Sequence, residues 1–217
     1  MPSGKNLKKT QSKPRDEISR GLPNILTKAG FILIAFGLTI ILFTFAPILK
    51  NEFGFAIKHT ILKETPKHIQ PTSTDFGIVI PKIEANAKII ANVDPYDSRV
   101  YQRALTQGVA HAKGTSVPGV AGNMFLFSHS SVNFYDATRY NSIFYLLSKL
   151  EIGDTIDTYY KGDKYIYTVT SKRMVGKDAV QYLKSVGGTR QILTLMTCWP
   201  PGTSYQRLIV IAERSTP

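Results

Sequence analysis

The chain has one cysteine in 217 residues. A single thiol cannot close an internal disulfide or build a Cys-cluster zinc or iron–sulfur site. The sequence also lacks GxGxxG, Walker A, HExxH and GxSxG runs, so the commonest phosphate-loop, zinc-protease and serine-hydrolase signatures are missing. It has no internal repeat, and low complexity is confined to the polar N-terminal tail. Acids are scarce, with 15 Asp+Glu against 27 Lys+Arg and a net charge of +12. Such a balance suggests a nucleic acid, an anionic membrane surface or an acidic polymer, and the placement of the charges decides among them. Hydrophobic residues make up 43% and charged residues 19%, ordinary globular usage that excludes wholesale disorder.

One stretch carries no charge at all. Residues 29–49, AGFILIAFGLTIILFTFAPIL, lie between Lys28 and Lys50. At about 1.5 Å per helical residue the run just spans a hydrocarbon core of about 30 Å. A signal peptide has a shorter apolar region and an A-x-A-like cleavage site, and PILKNEFGF offers none. The expectation is an uncleaved transmembrane anchor. Residues 1–28 hold seven Lys+Arg against two acids, five of the twelve net charges. The positive-inside rule then places this basic tail in the cytoplasm and residues 50–217 outside. Contact with anionic membrane lipid explains the tail. The remaining charges are scattered, with no RNP-like motif and no basic helix, so nucleic acid is not an expected partner.

Residues 50–74 read as a stalk, with Pro66, Pro71 and a Thr/Ser end. From Asp75 the texture changes to short β-branched runs broken by turns. FGIVIPKI, AKIIANV, GNMFLFSHS, RQILTLMTC and YQRLIVIAERS read as strands, and DTIDTYYKG with DKYIYTVTSKRMV as a hairpin around Gly162-Asp163. SRVYQRALTQGVA reads as a short helix ending near Gly108, NSIFYLLSKL and KDAVQYLKSV as two more, and HAKGTSVPGVAG as a Gly/Pro loop. Seven or eight strands with irregularly placed helices predict a mainly β barrel or sandwich.

Cys198 ends an apolar strand in TLMTCWPPGT. A lone cysteine is most often a small buried hydrophobe, but a strand-to-loop junction is where reactive groups are commonly displayed. A thiol with a free pKa of about 8.5 needs a base or cation nearby to act as a nucleophile. His129, at the end of MFLFS, and Arg207, nine residues after Cys198, are the candidates. A strand, a loop and a returning strand set positions with the Cys198–Arg207 spacing side by side. By default His129 is a surface histidine and Arg207 a solvent-facing strand residue.

Together these residues resemble the sortase family of cysteine transpeptidases over roughly residues 75–217. Thr194-Leu195-Met196-Thr197-Cys198 fits the TLxTC signature that ends in the nucleophile. Phe127-Ser128-His129-Ser130 stands where the family has its catalytic histidine, with Ser128 in place of the more usual glycine. Arg207 in Gln206-Arg207-Leu208-Ile209-Val210 matches the arginine on the following strand. Gly108-Val109-Ala110-His111, Gly114–Gly119 and Gly122-Asn123 resemble the stretch before the histidine strand. The TCxPPGT context is most like class D sortases.

The resemblance implies an eight-stranded β-barrel with short helices, preceded by one transmembrane helix. It implies a catalytic trio of Cys198, His129 and Arg207, with Thr197, Trp199 and Ser128 against the substrate. The partners would be proteins bearing an LPxTG-like sorting signal and an amine acceptor, a peptidoglycan precursor or a pilin lysine. No cofactor and no metal ion is implied. Asp94, Asp97 and Glu84 could meet near the barrel end, but EF-hand-like spacing is missing. His111 reads as structural or loop-lining. Residues 115–120 and 199–204 are candidate specificity loops. A papain-type protease would place the cysteine before the histidine, and an L,D-transpeptidase would keep the two close. The remaining alternative is an anchored β-domain that binds a ligand without catalysis.

Overall fold

A computed structural model of the chain describes residues 21–56, 69–130, 142–183 and 189–215. The chain divides into two compact units, Met1–Ala46 and Pro47–Pro217. The first is dominated by helix α1, which runs Gly21–Ala56. Within it, Ile25–Phe43 is long and apolar enough to cross a membrane. Phe31, Ile34, Phe36 and Phe43 are all exposed on it. A helix apolar on every side needs an apolar environment around it. Thr39 donates its hydroxyl to the Ala35 carbonyl at 2.8 Å, so even this polar side chain presents no unpaired donor. The described helix extends into the expected stalk. The rest of that stalk up to residue 68 lies outside the described residues.

The second unit is a closed eight-stranded barrel with strand order β1-β2-β3-β4-β7-β8-β6-β5. The strands are β1 Phe76–Ile80, β2 Ala85–Val93, β3 Val109–Ala112, β4 Gly122–Phe127, β5 Thr155–Tyr160, β6 Asp163–Gly176, β7 Gln191–Trp199 and β8 Gln206–Arg214. β2–β3 and β4–β7 pair in parallel, and the other neighbours are antiparallel. A parallel pair requires a crossover rather than a hairpin. Helix α2 (Ser98–Leu105) supplies it between β2 and β3. Asp97 caps α2 by accepting hydrogen bonds from the backbone N–H groups of Arg99 and Val100, an N-cap that satisfies otherwise orphaned donors.

Four expectations need correcting. Val109–Ala112 is strand β3, although Val109 and Ala110 read as the end of the SRVYQRALTQGVA stretch and His111 and Ala112 as the start of a loop. Every residue of β3 is buried. A strand covered on both faces shows no polar alternation to betray it. The second predicted helix is a short 3₁₀ segment, Tyr145–Lys149. Of the third, residues 180–183 form a 3₁₀ turn, Val180–Leu183, and residues 184–186 lie outside the described residues. The hairpin turn is Lys161-Gly162, one residue earlier than expected. Their φ values of 51° and 92° suit the primed turns that match strand twist.

Alternation along the strands divides the apolar residues between two clusters. Met124 and Leu126 of β4, Leu193 and Leu195 of β7, and Leu208, Val210 and Ala212 of β8 belong to the barrel interior. Phe125 and Phe127 point to a second cluster with Ala104 and Leu105 of α2, and Met196 packs against it. One wall is therefore apolar on both faces where α2 and Val180–Leu183 cover it. Buried Asn123 ties this cover down. Its amide donates to the Tyr182 carbonyl at 2.8 Å, and its carbonyl accepts from the Thr194 hydroxyl at 2.8 Å. The chain before β1 also joins the barrel, since Asn86 bonds the Thr72 backbone N–H and the Gln70 carbonyl. A side chain at Gly77 would collide with the Ser73 carbonyl, so this approach depends on glycine there.

Candidate active site

Three adjacent strands build the site. β4 and β7 run parallel, with Phe127 beside Met196. The pairing continues one step past β4, where the Ser128 N–H donates to the Met196 carbonyl at 3.2 Å and the Thr197 hydroxyl donates to the Ser128 carbonyl at 2.9 Å. The next step brings His129 to the level of Cys198. On the other side of β7, Cys198 is the register partner of Arg207 on β8. Side chains alternate with period 2, so Cys198 shares a face with Met196 and His129 with Phe127. That is the wall's second face, beside the α2 cluster, not the barrel interior.

The chain after Cys198 turns back quickly for a local reason. The Thr203 N–H donates to the Pro200 carbonyl at 3.0 Å, and Gly202 has φ +80°. Pro at the second position and Gly at the third are the residues a type II turn demands. The Thr203 hydroxyl adds a 2.8 Å bond to the same carbonyl. β8 therefore returns beside β7 with Arg207 next to Cys198. Arg207 is half-buried, and its Nη1 donates to the carbonyls of Ser204 at 3.2 Å and Gln206 at 3.0 Å. Two contacts from one nitrogen leave other donors of the guanidinium fork available.

Two cavities meet at these residues. One, of about 440 Å³, is lined by His129, Ser130, Cys198, Gly202, Thr203, Ser204 and Tyr205. The other, of about 480 Å³, runs over the second cluster. Tyr101, Leu105, Phe125, Phe127, Leu183 and Met196 give it apolar walls, and Lys177 and Asp178 lie at it. Cys198, His129 and Ser204 border both, while Arg207 borders the apolar one. A half-buried thiol, an imidazole and a guanidinium at the end of an apolar groove are suited to acyl transfer from an extended peptide. The thiol can attack, the imidazole can move a proton, and the guanidinium can stabilise an oxyanion.

The other expected contacts divide. Ser128 and Thr197 border the apolar cavity, but Thr197 spends its hydroxyl on the Ser128 carbonyl. Trp199 is half-buried, packs against the interior cluster and lines neither cavity. Residues 115–120 also lie outside both cavities. The groove residues of α2 and Val180–Leu183 were not legible as site residues. Phe125 and Phe127 were, in principle, because they precede His129 at the period of 2 that fixes its face. Among the described residues no three potential metal ligands come together. Asp97 is occupied in capping α2, and Asp94 accepts from the Tyr96 N–H at 2.9 Å.

His111 is a buried structural residue. Its Nε2 donates to the Ser116 carbonyl at 2.9 Å, its Nδ1 accepts from the Asn92 N–H at 3.4 Å, and Phe76 packs edge-on against the ring. Burial pushes its pKa below the ordinary 6.5, against the opposing pull of the bonds to Ser116 and Thr115. The folded state thus prefers neutral His111, and the unfolded chain binds its proton more readily. This contribution to stability is complete above about 6.5 and is lost as pH falls through the folded value. Wild type should therefore lose more melting temperature between pH 7.5 and pH 5 than His111→Gln, and parallel curves would exclude this role.

Comparison with known proteins agrees with this architecture. The sortase domain family matches residues 78–215, and no curated protein matches the chain. Sortase C-1 from Actinomyces oris is 29% identical with a TM-score of 0.56, over 67% of this chain and 76% of that one. A pilus-related sortase C of Group B Streptococcus is 26% identical with a TM-score of 0.55, over 68% and 70% of the two chains. A sortase D5 transpeptidase of Clostridium perfringens, at 23% identity and a TM-score of 0.53 over 73% and 87%, shares the fold. The closed barrel and the family match place the chain in the class of sortase-type transpeptidases. The chain belongs to the sortase family.

Proposed function

We propose that this chain is a membrane-anchored, extracytoplasmic sortase that cleaves an LPxTG-like C-terminal sorting signal and joins the acyl fragment to an amine. Residues 29–49 would anchor it, with the basic residues 1–28 in the cytoplasm. The observation that carries the reading is the β4-β7-β8 register, which gathers His129, Cys198 and Arg207 at the end of an apolar groove. Cys198 as thiolate attacks the Thr–Gly carbonyl carbon, with Arg207 facing the oxyanion. The C–N bond breaks as His129 gives its proton to the leaving amine, and a thioacyl remains on Cys198. An incoming amine reverses these steps and releases the thiolate. A peptidoglycan precursor or a pilin lysine supplies that amine, and the likeness to a pilus-related sortase C supports the second. The class D-like reading of Thr197–Thr203 stays part of this proposal.

The test is direct. Full-length protein in detergent micelles, mixed with an LPxTG-like peptide, should show a mass increase equal to the acyl fragment on Cys198. In His129→Ala the adduct should accumulate at least about 10²-fold more slowly. Failure of the unsubstituted protein to form any adduct across a peptide library would sink the reading.

A further inference from the structure

The chemistry stands at one end of a row on the barrel wall, and a polar pair stands at the other. Asn123, Phe125, Phe127 and His129 alternate along β4 and just past its end, so they share a face. Thr194, Met196 and Cys198 form the matching row on β7. At about 3.3 Å per residue, Asn123 lies roughly 20 Å from His129. It is 2% exposed and lines neither cavity, so it touches no reacting group. Its amide nitrogen donates to the Tyr182 carbonyl, and its amide oxygen accepts from the Thr194 hydroxyl, both at 2.8 Å. A carbonyl only accepts, so the nitrogen must face Tyr182, and the oxygen is then left for Thr194. The two partners together fix which way the amide points.

Tyr182 belongs to Val180–Leu183, the segment that covers this wall, and Val180 and Leu183 line the apolar groove. Little else holds that segment. None of its residues is buried, and Tyr182 and Leu183 pack only in part against the second cluster. The backbone bonds here are local, from the Ala179 N–H to the Gly176 carbonyl at 3.2 Å and from the Val180 N–H to the Asp178 carbonyl at 2.8 Å. Among the described residues, the one hydrogen bond that joins Val180–Leu183 to the barrel wall comes from Asn123. A segment with few buried apolar contacts opens easily unless such a bond restrains it.

Resting on the transpeptidation reading above, we infer that Asn123 is a positioning residue for the acyl donor, which through the Tyr182 carbonyl holds Val180 and Leu183 in place as one wall of the apolar groove, with Thr194 orienting its amide. Its influence reaches binding and stops short of chemistry. The donor meets a groove already formed, so ordering this wall subtracts nothing from the binding free energy. Without the bond the competent wall is populated only part of the time, and affinity falls by that fraction. The β4-β7-β8 register sets His129, Cys198 and Arg207 independently of the cover, so the bound complex reacts at its usual rate.

The test separates KM from kcat. Full-length protein in micelles turns over a fluorogenic LPxTG-like peptide. Removing one partner alone would leave a buried polar group bare, so the informative variant combines Asn123→Leu with Thr194→Val. Replacing both by apolar groups of similar shape has little effect on the fold. This double variant should raise KM about tenfold, the usual effect of one lost hydrogen bond, with kcat within about twofold of wild type. Its melting temperature should stay within a few degrees, and iodoacetamide should alkylate Cys198 at the wild-type rate. Thr194→Ser, which keeps the hydroxyl, should keep the wild-type KM. An unchanged KM in the double variant overturns the assignment. A fall in kcat and alkylation rate that tracks a lost melting temperature also overturns it, because the pair is then structural. Either result leaves the transpeptidase reading standing. Absence of a Cys198 adduct in the unsubstituted protein overturns both.

Discussion

Cys198→Ala should abolish turnover of a fluorogenic sorting peptide and leave the melting temperature within a few degrees of wild type. The thiol is the only one in the chain, so no other sulfur can take over the nucleophile's part. Cys198 is half-buried at the end of β7 and belongs to neither apolar cluster. Truncation to Ala therefore opens no core cavity, and substitutions away from such features cost about 0.5 kcal/mol or less. A neutral oxygen is a far weaker nucleophile than a thiolate, so Cys198→Ser should also be inactive. The same solitude makes alkylation informative, because a thiol reagent that inactivates the protein can have modified only this residue. Equal turnover by wild type and Cys198→Ala would refute covalent catalysis through it.

Arg207→Ala should lower kcat/KM by about 10²–10³, the usual effect of deleting one oxyanion donor. The geometry gives a reason beyond charge. Arg207 is the register partner of Cys198, and one of its nitrogens is held by the Ser204 and Gln206 carbonyls. Those bonds aim a planar fork, and among the described residues its other donors make no further hydrogen bond, so they can face the developing oxyanion. Lysine keeps the charge but replaces the fork with a single flexible ammonium. Arg207→Lys should recover only a minor part of the loss, mainly in KM. Both carbonyls that Arg207 occupies belong to exposed residues, so water replaces the lost bonds and stability should change little. A large fall in melting temperature with proportionate loss of activity would show that the residue is structural.

The two predictions draw on different kinds of information. Cys198 and Arg207 could be paired from sequence because their nine-residue separation contains Pro200-Pro201-Gly202, a turn whose φ requirements are local. The seven strands other than β3 were legible for the same reason, since β-branched alternation and turn residues act over neighbouring positions. His129 is different. It lies 69 residues before Cys198, and only its likeness to a known pattern joined the two. The physical link is the parallel β4–β7 pairing, a non-local contact that no periodicity in either strand encodes. β3 escaped notice because it is buried on both faces, and Tyr145–Lys149 looks α-helical by composition although it forms only a short 3₁₀ segment.

The sequence by itself determined an apolar run long enough to cross a bilayer, a basic segment before it, a mainly β domain after it and one thiol at a strand end. These follow from composition and short-range stereochemistry. Only the tertiary structure decided which face of the barrel wall carries the chemistry, that an apolar groove under α2 leads to it, and that a second, hydroxyl-lined cavity meets it at Cys198. Those features arise where strands distant in sequence pair and expose one side of their alternation, which is a property of closure and register, not of any single segment.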